Sequence, residues 1–207
     1  MASARALDVV LSDEHAEKLL RLLDELVKWN RTHNLTAITQ REEMITHHLL
    51  DSLSVNGALE GETVADVGTG AGFPGLPLAV VNPKKMFTLI DSNNKKVRFV
   101  AHAARTLGLS NVDAIHARAE APRVGKPLDT VVARAFAALP ELLERVAPLC
   151  GPNTHVLAMK GKRPDDEIAA VPALWKVIET RPLTVPGLNA ERHLVILQQT
   201  AAAPTAC

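Results

Sequence analysis

Three glycines at alternate positions, Gly68, Gly70 and Gly72, follow the short apolar run 64–67, and Pro74 stands where a helix would begin. The stretch reads VADVGTGAGFPGL: a strand, a tight glycine loop and a helix N-terminus. Such a turn lets backbone approach an extended ligand closely, since glycine brings no side chain and reaches conformations that other residues avoid. The dinucleotide fingerprint G-x-G-x-x-G would need glycine at 73, where Phe73 stands. Asp91 ends the next predicted strand, MFTLID, where a carboxylate can accept hydrogen bonds from both hydroxyls of a ribose. Ala119 and Glu120 follow the third predicted strand. Arg134 stands where the fourth meets the same edge, able to hold a carboxylate or a phosphate or to form a structural ion pair.

Two basic groups flank these positions. Lys95, Lys96 and Arg98 come just past Asp91, and Lys160, Lys162 and Arg163 just past the fifth predicted strand. In an open α/β sheet both reach the carboxyl edge, where such sheets bind ligands. Basic groups there suit a phosphate-bearing substrate, with solvated helix ends as the plainer alternative. Glu191-Arg192-His193 opens the last predicted strand and can bind substrate or pair internally. His47 and His48 invite a metal, but neighbours on a helix point about 100° apart and no third ligand is spaced to join them, so no metal is expected. Cys150, in PLCG after a helix, reads as core rather than as a nucleophile.

The elements that must position these groups fall into two patterns. Residues 1–60 read as helical. Ser12 suits an N-cap, with Asp13 and Glu14 in the first turn. Ala16, Leu19, Leu20, Leu23, Leu26 and Val27 recur with helical period up to an end at Trp29. Glu17–Arg21 and Asp24–Lys28 are candidate i,i+4 pairs. Thr39 with Glu42 suggests a capping box for a second helix to about Val55, stopped by Gly57. From Glu62 strands alternate with helices, which argues for a parallel sheet. Strands are predicted near 63–67, 86–91, 112–116, 128–133, 154–159, 175–181 and 193–199, and helices near 75–81, 94–107, 139–148 and 165–170. The expected organisation is a helical extension over 1–60, an α/β domain over 61–200 and a flexible tail over 201–207.

Composition narrows the function classes. Lys plus Arg and Asp plus Glu are both 23, so any grip on nucleic acid must come from local patches and shape rather than net charge. Aromatic content of 3% with no Tyr argues against an extended stacking platform for single strands. No apolar run approaches the roughly 20 residues of a membrane span. The first residues have too short an apolar core for a secretory signal, and two cysteines without a C-x-x-C pair indicate neither a disulfide framework nor a zinc site. A cytoplasmic protein is expected, with no membrane partner.

From Asp66 the loop reads D-x-G-x-G-x-G, which resembles motif I of class I S-adenosylmethionine (SAM) methyltransferases. That resemblance implies a Rossmann-like α/β fold with a seven-stranded mixed sheet, its last strand antiparallel. It would set Asp66 near the amino-acid end of SAM, the glycines under ribose and methionine, and Ala119 and Glu120 beside the adenine. After the fourth strand the chain reads ARAFAALPELL, without the N-P-P-Y-like tetrapeptide with which amino-group methyltransferases often orient an exocyclic nitrogen. An acceptor that is already nucleophilic fits, such as guanine N7, whose lone pair is free at neutral pH; catalysis is then alignment, with no catalytic base. No residue argues against a hydroxyl acceptor.

Taken together, KWNRTHNLTAIT (28–39), HHLLDSL (47–53), DVGTGAGFPGLPLA (66–79), FTLIDSNNKKVRF (87–99), RAFA (134–137), MKG (159–161) and ERHLV (191–195) resemble the RsmG (GidB) family of bacterial guanine-N7 methyltransferases of 16S ribosomal RNA. One departure is the asparagine pair 93–94, where many relatives are expected to carry glycine. The resemblance implies SAM contacts at Gly68, Phe73, Ala119, Glu120 and Arg134, with Asp91 added from ribose chemistry. It implies RNA contacts at Lys95, Lys96, Arg98, Lys160, Arg192 and His193, and the small ribosomal subunit as partner. The competing expectations are a small-molecule methyltransferase on the same fold and a ribosome-binding factor that holds SAM without catalysis.

Overall fold

The computed structural model describes residues 2–120 and 126–200. The tail expected over 201–207, with Cys207, lies outside the described residues.

After a short helix α1 (Ala2–Arg5), helix α2 (Asp13–His33) opens as its sequence suggests: the Ser12 hydroxyl accepts the His15 N–H at 3.1 Å. Leu19, Leu22, Leu23 and Leu26 are buried, while Leu20 is 42% exposed, so the apolar stripe is narrower than the sequence pattern suggests. The helix does not stop at Trp29. It runs one turn further because Asn34, in a left-handed conformation, caps it onto the Asn30 carbonyl, and the Asn30 amide bonds both ways to the Thr36 backbone. Trp29 instead packs edge-on against Phe99, 5.6 Å away. The expected pair Asp24–Lys28 does not form. Asp24 takes Arg41 at 2.6 Å, and Lys28 takes Glu25 at 2.6 Å, whose other oxygen meets His102 at 2.9 Å. Arg21 has no ion-pair partner among the described residues; the i,i+4 pair on this helix is Glu14–Lys18.

The second helical segment is one run of three geometries: α3 (Arg41–Met44), a π-helical turn (Ile45–Leu50) and α4 (Asp51–Leu53). Gln40, not Thr39, precedes it, and no side chain caps it; the run ends at Leu53, and Gly57 sits inside a following 3-10 turn, Asn56–Ala58. The π turn re-phases the segment, and such widened turns recur at functional sites.

The sheet has seven strands in the order β3-β2-β1-β4-β5-β7-β6. They are β1 (Thr63–Val67), β2 (Met86–Asp91), β3 (Val112–His116), β4 (Thr130–Arg134), β5 (His155–Lys160), β6 (Trp175–Pro182) and β7 (His193–Gln199). β1 to β5 are mutually parallel, and β7 runs antiparallel between β5 and β6. β4 starts two residues later than its apolar pattern suggests because Asp129 turns its carboxylate to the Glu62 and Thr63 N–H groups at 2.8 and 2.9 Å, pinning the start of β1. Helices α5 (Gly75–Val81), α6 (Asn94–Thr106), α7 (Leu139–Val146) and α8 (Asp165–Ala169) complete the chain. Two apolar layers cover the sheet. Val64 and Leu89 face one shared by Leu22, Leu23 and Leu26 of α2, Leu76 of α5 and Phe99 of α6. Ala65, Val67 and Ile90 face the other, with Leu139, Leu142 and Leu143 of α7. The alternation along β1 is the period-two pattern of a central strand covered on both faces.

Candidate functional site

At the carboxyl end of β1 the chain turns through Gly68, Gly70 and Gly72, all at positive φ (69°, 61° and 86°), before α5 begins at Gly75. Asp66 holds this turn from below. Its Oδ2 accepts the Thr69 hydroxyl at 2.6 Å and the Gly75 N–H at 2.7 Å, at a site 0% exposed. Burial pushes its carboxyl up to about 6 despite those bonds, and Oδ1 has no partner among the described residues. Asp66 therefore shapes the loop and lies on no cavity wall. Gly75 has no room for a side chain as the loop stands, since a Cβ would lie 2.7 Å from both Asp66 Oδ2 and Leu89 Cγ and force one of them to move.

Asp91 holds the loop from the side: Oδ2 accepts the Gly70 N–H at 2.9 Å, and Oδ1 accepts the Asn93 N–H at 2.8 Å. Each oxygen keeps a second lone pair, and the carboxylate lines a cavity of about 930 Å³ over the ends of β1 to β4. Gly68, Lys96, Ala119 and Glu120 line it too. A Cβ at Gly70 would meet nothing nearer than the Gly68 carbonyl oxygen at 4.0 Å, whereas Gly72 is closed by Leu76 of α5, 2.3 Å from where a Cβ would stand. Gly70 thus offers bare backbone and Gly72 permits the helix to pack.

Of the predicted cofactor residues, Gly68, Asp91, Ala119 and Glu120 line this cavity, and Phe73 and Arg134 lie beside another. The Phe73 ring is buried, stacked on His48 with centroids 4.6 Å apart and with the Arg134 guanidinium 5.8 Å from its centroid. Arg134 donates to Asp51 Oδ2 at 3.0 Å and to the His47 carbonyl at 2.9 Å, and so lines a second cavity of about 420 Å³ instead of the first. Asp51, 2% exposed, also accepts Arg192 Nε at 2.9 Å. The partner that redirects Arg134 comes from the π-turn region, far away in sequence.

Of the residues expected to meet RNA, Lys95 and Arg98 are exposed on α6, and Lys96 reaches the large cavity. None of the three has an ion-pair partner among the described residues. Lys160 differs: its ammonium is taken up by Glu167 and the Ala137 carbonyl, each at 2.7 Å, so it is no free cation. His193 Nδ1 lies 3.0 Å from the Gly161 carbonyl oxygen.

Sequence reasoning missed Phe136 and Arg145. The Phe136 ring covers Gly68, where a Cβ would come within 2.3 Å of it, and the Arg145 guanidinium lies 5.5 Å from the ring centroid on the cavity wall. The only signal was the RAFA block itself. Cys150 is packed against the α7 layer, and burial pushes its thiol up to about 12, which removes it as a nucleophile. Among the described residues no group of three or more His, Cys, Asp or Glu is arranged to hold a metal ion, and no helix is long and apolar enough to cross a membrane.

Comparison with known proteins bears on this arrangement. A family model described as "rRNA small subunit methyltransferase G" (GidB) matches residues 15–195. Relatives called "Ribosomal RNA small subunit methyltransferase G" include one from Marinobacter nauticus, 46% identical over 93% of this chain and 90% of that protein. Another from Xanthomonas campestris pv. campestris is 47% identical over 91% of this chain and 89% of that protein. Among solved structures, a SAM-dependent methyltransferase from Aquifex aeolicus superposes with a TM-score of 0.58 at 20% identity, covering 81% of this chain and 97% of that one. TrmN from Thermus thermophilus gives 0.57 at 23% identity, over 72% of this chain and 47% of that one. These two likenesses speak for the fold.

Proposed function

The chain belongs to the rRNA small subunit methyltransferase G family, and from that premise we propose that it carries a methyl group from SAM to N7 of a guanine in the 16S rRNA of the small ribosomal subunit. The observation that carries the cofactor assignment is the pairing of Asp91 with the glycine loop. The carboxylate fixes Gly70 with one lone pair and offers others to the cavity, which suits a ribose laid across bare backbone. The cavity of about 930 Å³ lies within the range of small-molecule sites. In this reading Gly68 and Gly70 lie under the ribose and methionine, and Ala119 and Glu120 border the adenine. Gly72, Asp66 and Phe73 act one layer below, by holding the loop and the helix in place.

When bound, SAM supplies a methyl carbon to which the N7 lone pair bonds while the carbon–sulfur pair stays on sulfur, and no proton moves. The chain's task is alignment rather than acid–base chemistry, because holding two reactants in line removes most of the entropic barrier. Lys95, Lys96 and Arg98, without ion-pair partners among the described residues, are the cations we assign to the RNA backbone, with the Arg192 guanidinium and the His193 ring at the other rim. Lys160 keeps its place in the wall through Glu167. A substrate inside the small subunit places the protein's work in the cytoplasm. Incubating the purified chain with labelled SAM and small subunits tests the reading: label should enter 16S rRNA as N7-methylguanine, and label at another atom, or none, contradicts it.

A further inference from the structure

Resting on the rRNA methyltransferase reading, we propose that the solvent face of α6 is a second RNA contact. It is a cationic strip from Lys95, by the cavity mouth, to Arg105 at the opposite edge of the sheet, and it holds backbone phosphates of an RNA segment apart from the acceptor. The helix reads NKKVRFVAHAART: it carries Lys95, Lys96, Arg98, His102 and Arg105 and no Asp or Glu. Helix α2, the other long surface helix, mixes the signs, with Glu14, Glu17 and Asp24 among Lys18, Arg21 and Lys28. In a chain with 23 basic and 23 acidic residues, charge of one sign on α6 is matched by an equal excess of acid elsewhere. Lys95, Arg98 and Arg105 are all exposed. At roughly 100° and 1.5 Å per residue they fall within about 80° of arc and span about 15 Å. Because α6 joins the parallel strands β2 and β3, it runs back from the carboxyl edge to the amino edge, beside the last strand of the sheet. Lys96 lines the cofactor cavity and Arg105 does not, so the strip starts at the site and leads away from it.

This arrangement costs the fold. Lys95 and Lys96 stand in the first turn, where the positive end of the helix dipole favours acids, and no acid is there. Lys95 and Arg98, three residues apart, are like charges that repel. No carboxylate repairs the imbalance: Lys95, Lys96, Arg98 and Arg105 have no ion-pair partner among the described residues. Glu25 of α2 approaches α6, but it is shared by Lys28 at 2.6 Å and His102 at 2.9 Å. On β3, Val112 and Ala114 pack into the α6 layer, which turns Asp113 to the other face of the sheet. Cations gathered at a cost, with counter-charge withheld by both α2 and β3, complement a polyanion. A single small anion would need one end of the strip; phosphates repeated along a backbone use its whole length. Continuity with the cavity mouth makes the RNA that carries the acceptor the source of that backbone.

Two charge reversals at opposite edges of the sheet test this. Arg105→Glu lies on the strip. Arg181→Glu on β6 changes the net charge equally at the far edge, where Arg181 pairs with Glu179 of its own strand. Each is assayed for methyl transfer to small subunits, for SAM affinity by calorimetry, and for binding to labelled poly(A)·poly(U), a duplex RNA without guanine, over a salt series. The expected result for Arg105→Glu is a KM for subunits raised roughly fivefold or more at native kcat and SAM affinity, and a log K against log salt slope for the duplex flatter by about 1 or more. Arg105→Lys, which keeps the charge, and Arg181→Glu should both stay within about twofold of native. Equal effects of the two reversals reduce the strip to net charge and overturn the proposal, as does a native KM in Arg105→Glu or a loss of kcat or SAM affinity. A raised KM with unaltered duplex binding puts a subunit protein on the strip in place of RNA, and overturns it too. Absence of methyl transfer by the native chain would instead fail the functional reading on which the proposal rests, and duplex binding would then decide whether the strip holds RNA.

Discussion

Replacing Asp91 with alanine should weaken SAM binding far more than it weakens the fold. The carboxylate makes two bonds inside the protein, to the Gly70 and Asn93 N–H groups, keeps a second lone pair on each oxygen, and belongs to a residue that lines the cavity. Hydrogen bonds to a charged acceptor contribute about 1.5–3 kcal/mol each. Two ribose hydroxyls, discounted for water that partly replaces them, come to about 2–4 kcal/mol. That corresponds to a Kd for SAM raised roughly 30- to 700-fold. The loop bonds complicate the variant, because their loss loosens Gly70 as well. A double comparison separates the two effects: titrate native and Asp91→Ala proteins with S-adenosylhomocysteine and with its 2′-deoxy analogue by calorimetry. If Asp91 holds the ribose, the missing hydroxyl weakens binding to the native protein and barely matters to the variant, since the partner is already gone. Equal penalties in both proteins, or an Asp91→Ala affinity within about threefold of native, refute the ribose assignment.

Other expectations follow from the same geometry. Gly75→Ala forces a Cβ to 2.7 Å from Asp66 Oδ2 and Leu89 Cγ, and should lower unfolding stability by about 1–3 kcal/mol in a denaturant titration. Asp66 and His48 make opposite pH contributions: the Asp66 carboxyl, raised from 3.8 to about 6, makes stability fall as pH rises through that window, while His48, lowered from 6.5 to about 4, makes it rise. Each amounts to about 3 kcal/mol at most, so they nearly cancel between pH 4 and 6. In Asp66→Asn the amide oxygen can keep the bonds to Thr69 and Gly75, so the variant should fold, be at least as stable as native at pH 7, and show a Tm that drops more steeply on acidification; a native-like profile would contradict this. Neutralising Lys95, Lys96 and Arg98 together should weaken subunit binding, leave SAM affinity intact, and flatten the log K against log salt slope by about 2, whereas an unchanged slope would remove these three from the RNA contact. Activity on naked, unstructured 16S rRNA should be well below that on the small subunit, and comparable turnover on both would contradict recognition of an ordered surface.

Local signals made much of the frame readable. The apolar run before the glycine loop and the proline after it delimit β1 and α5, and Asp91 falls at the end of β2. What local pattern could not carry is partner choice across the chain. Trp29 looked like a helix end because the cap depends on Asn34 in a left-handed turn and on Asn30 reaching to Thr36. Asp24 and Lys28 suit one another by spacing, yet each has a better partner in the folded protein. Arg134 sits beside the glycine loop in the sheet but turns away from it toward Asp51, and Lys160 is neutralised by Glu167 from α8. Phe136 joins the cavity wall only because β4 lies next to β1. In each case the deciding partner is brought in by the topology or by a turn outside the local pattern.

The most direct measurement is the N7-methylguanine content of 16S rRNA from cells that carry this chain, cells that lack it, and cells that carry Asp91→Ala in its place. One N7-methylated guanine is expected in the first, none at that position in the second, and little or none in the third. An unaltered methylation pattern in cells without the chain would contradict it.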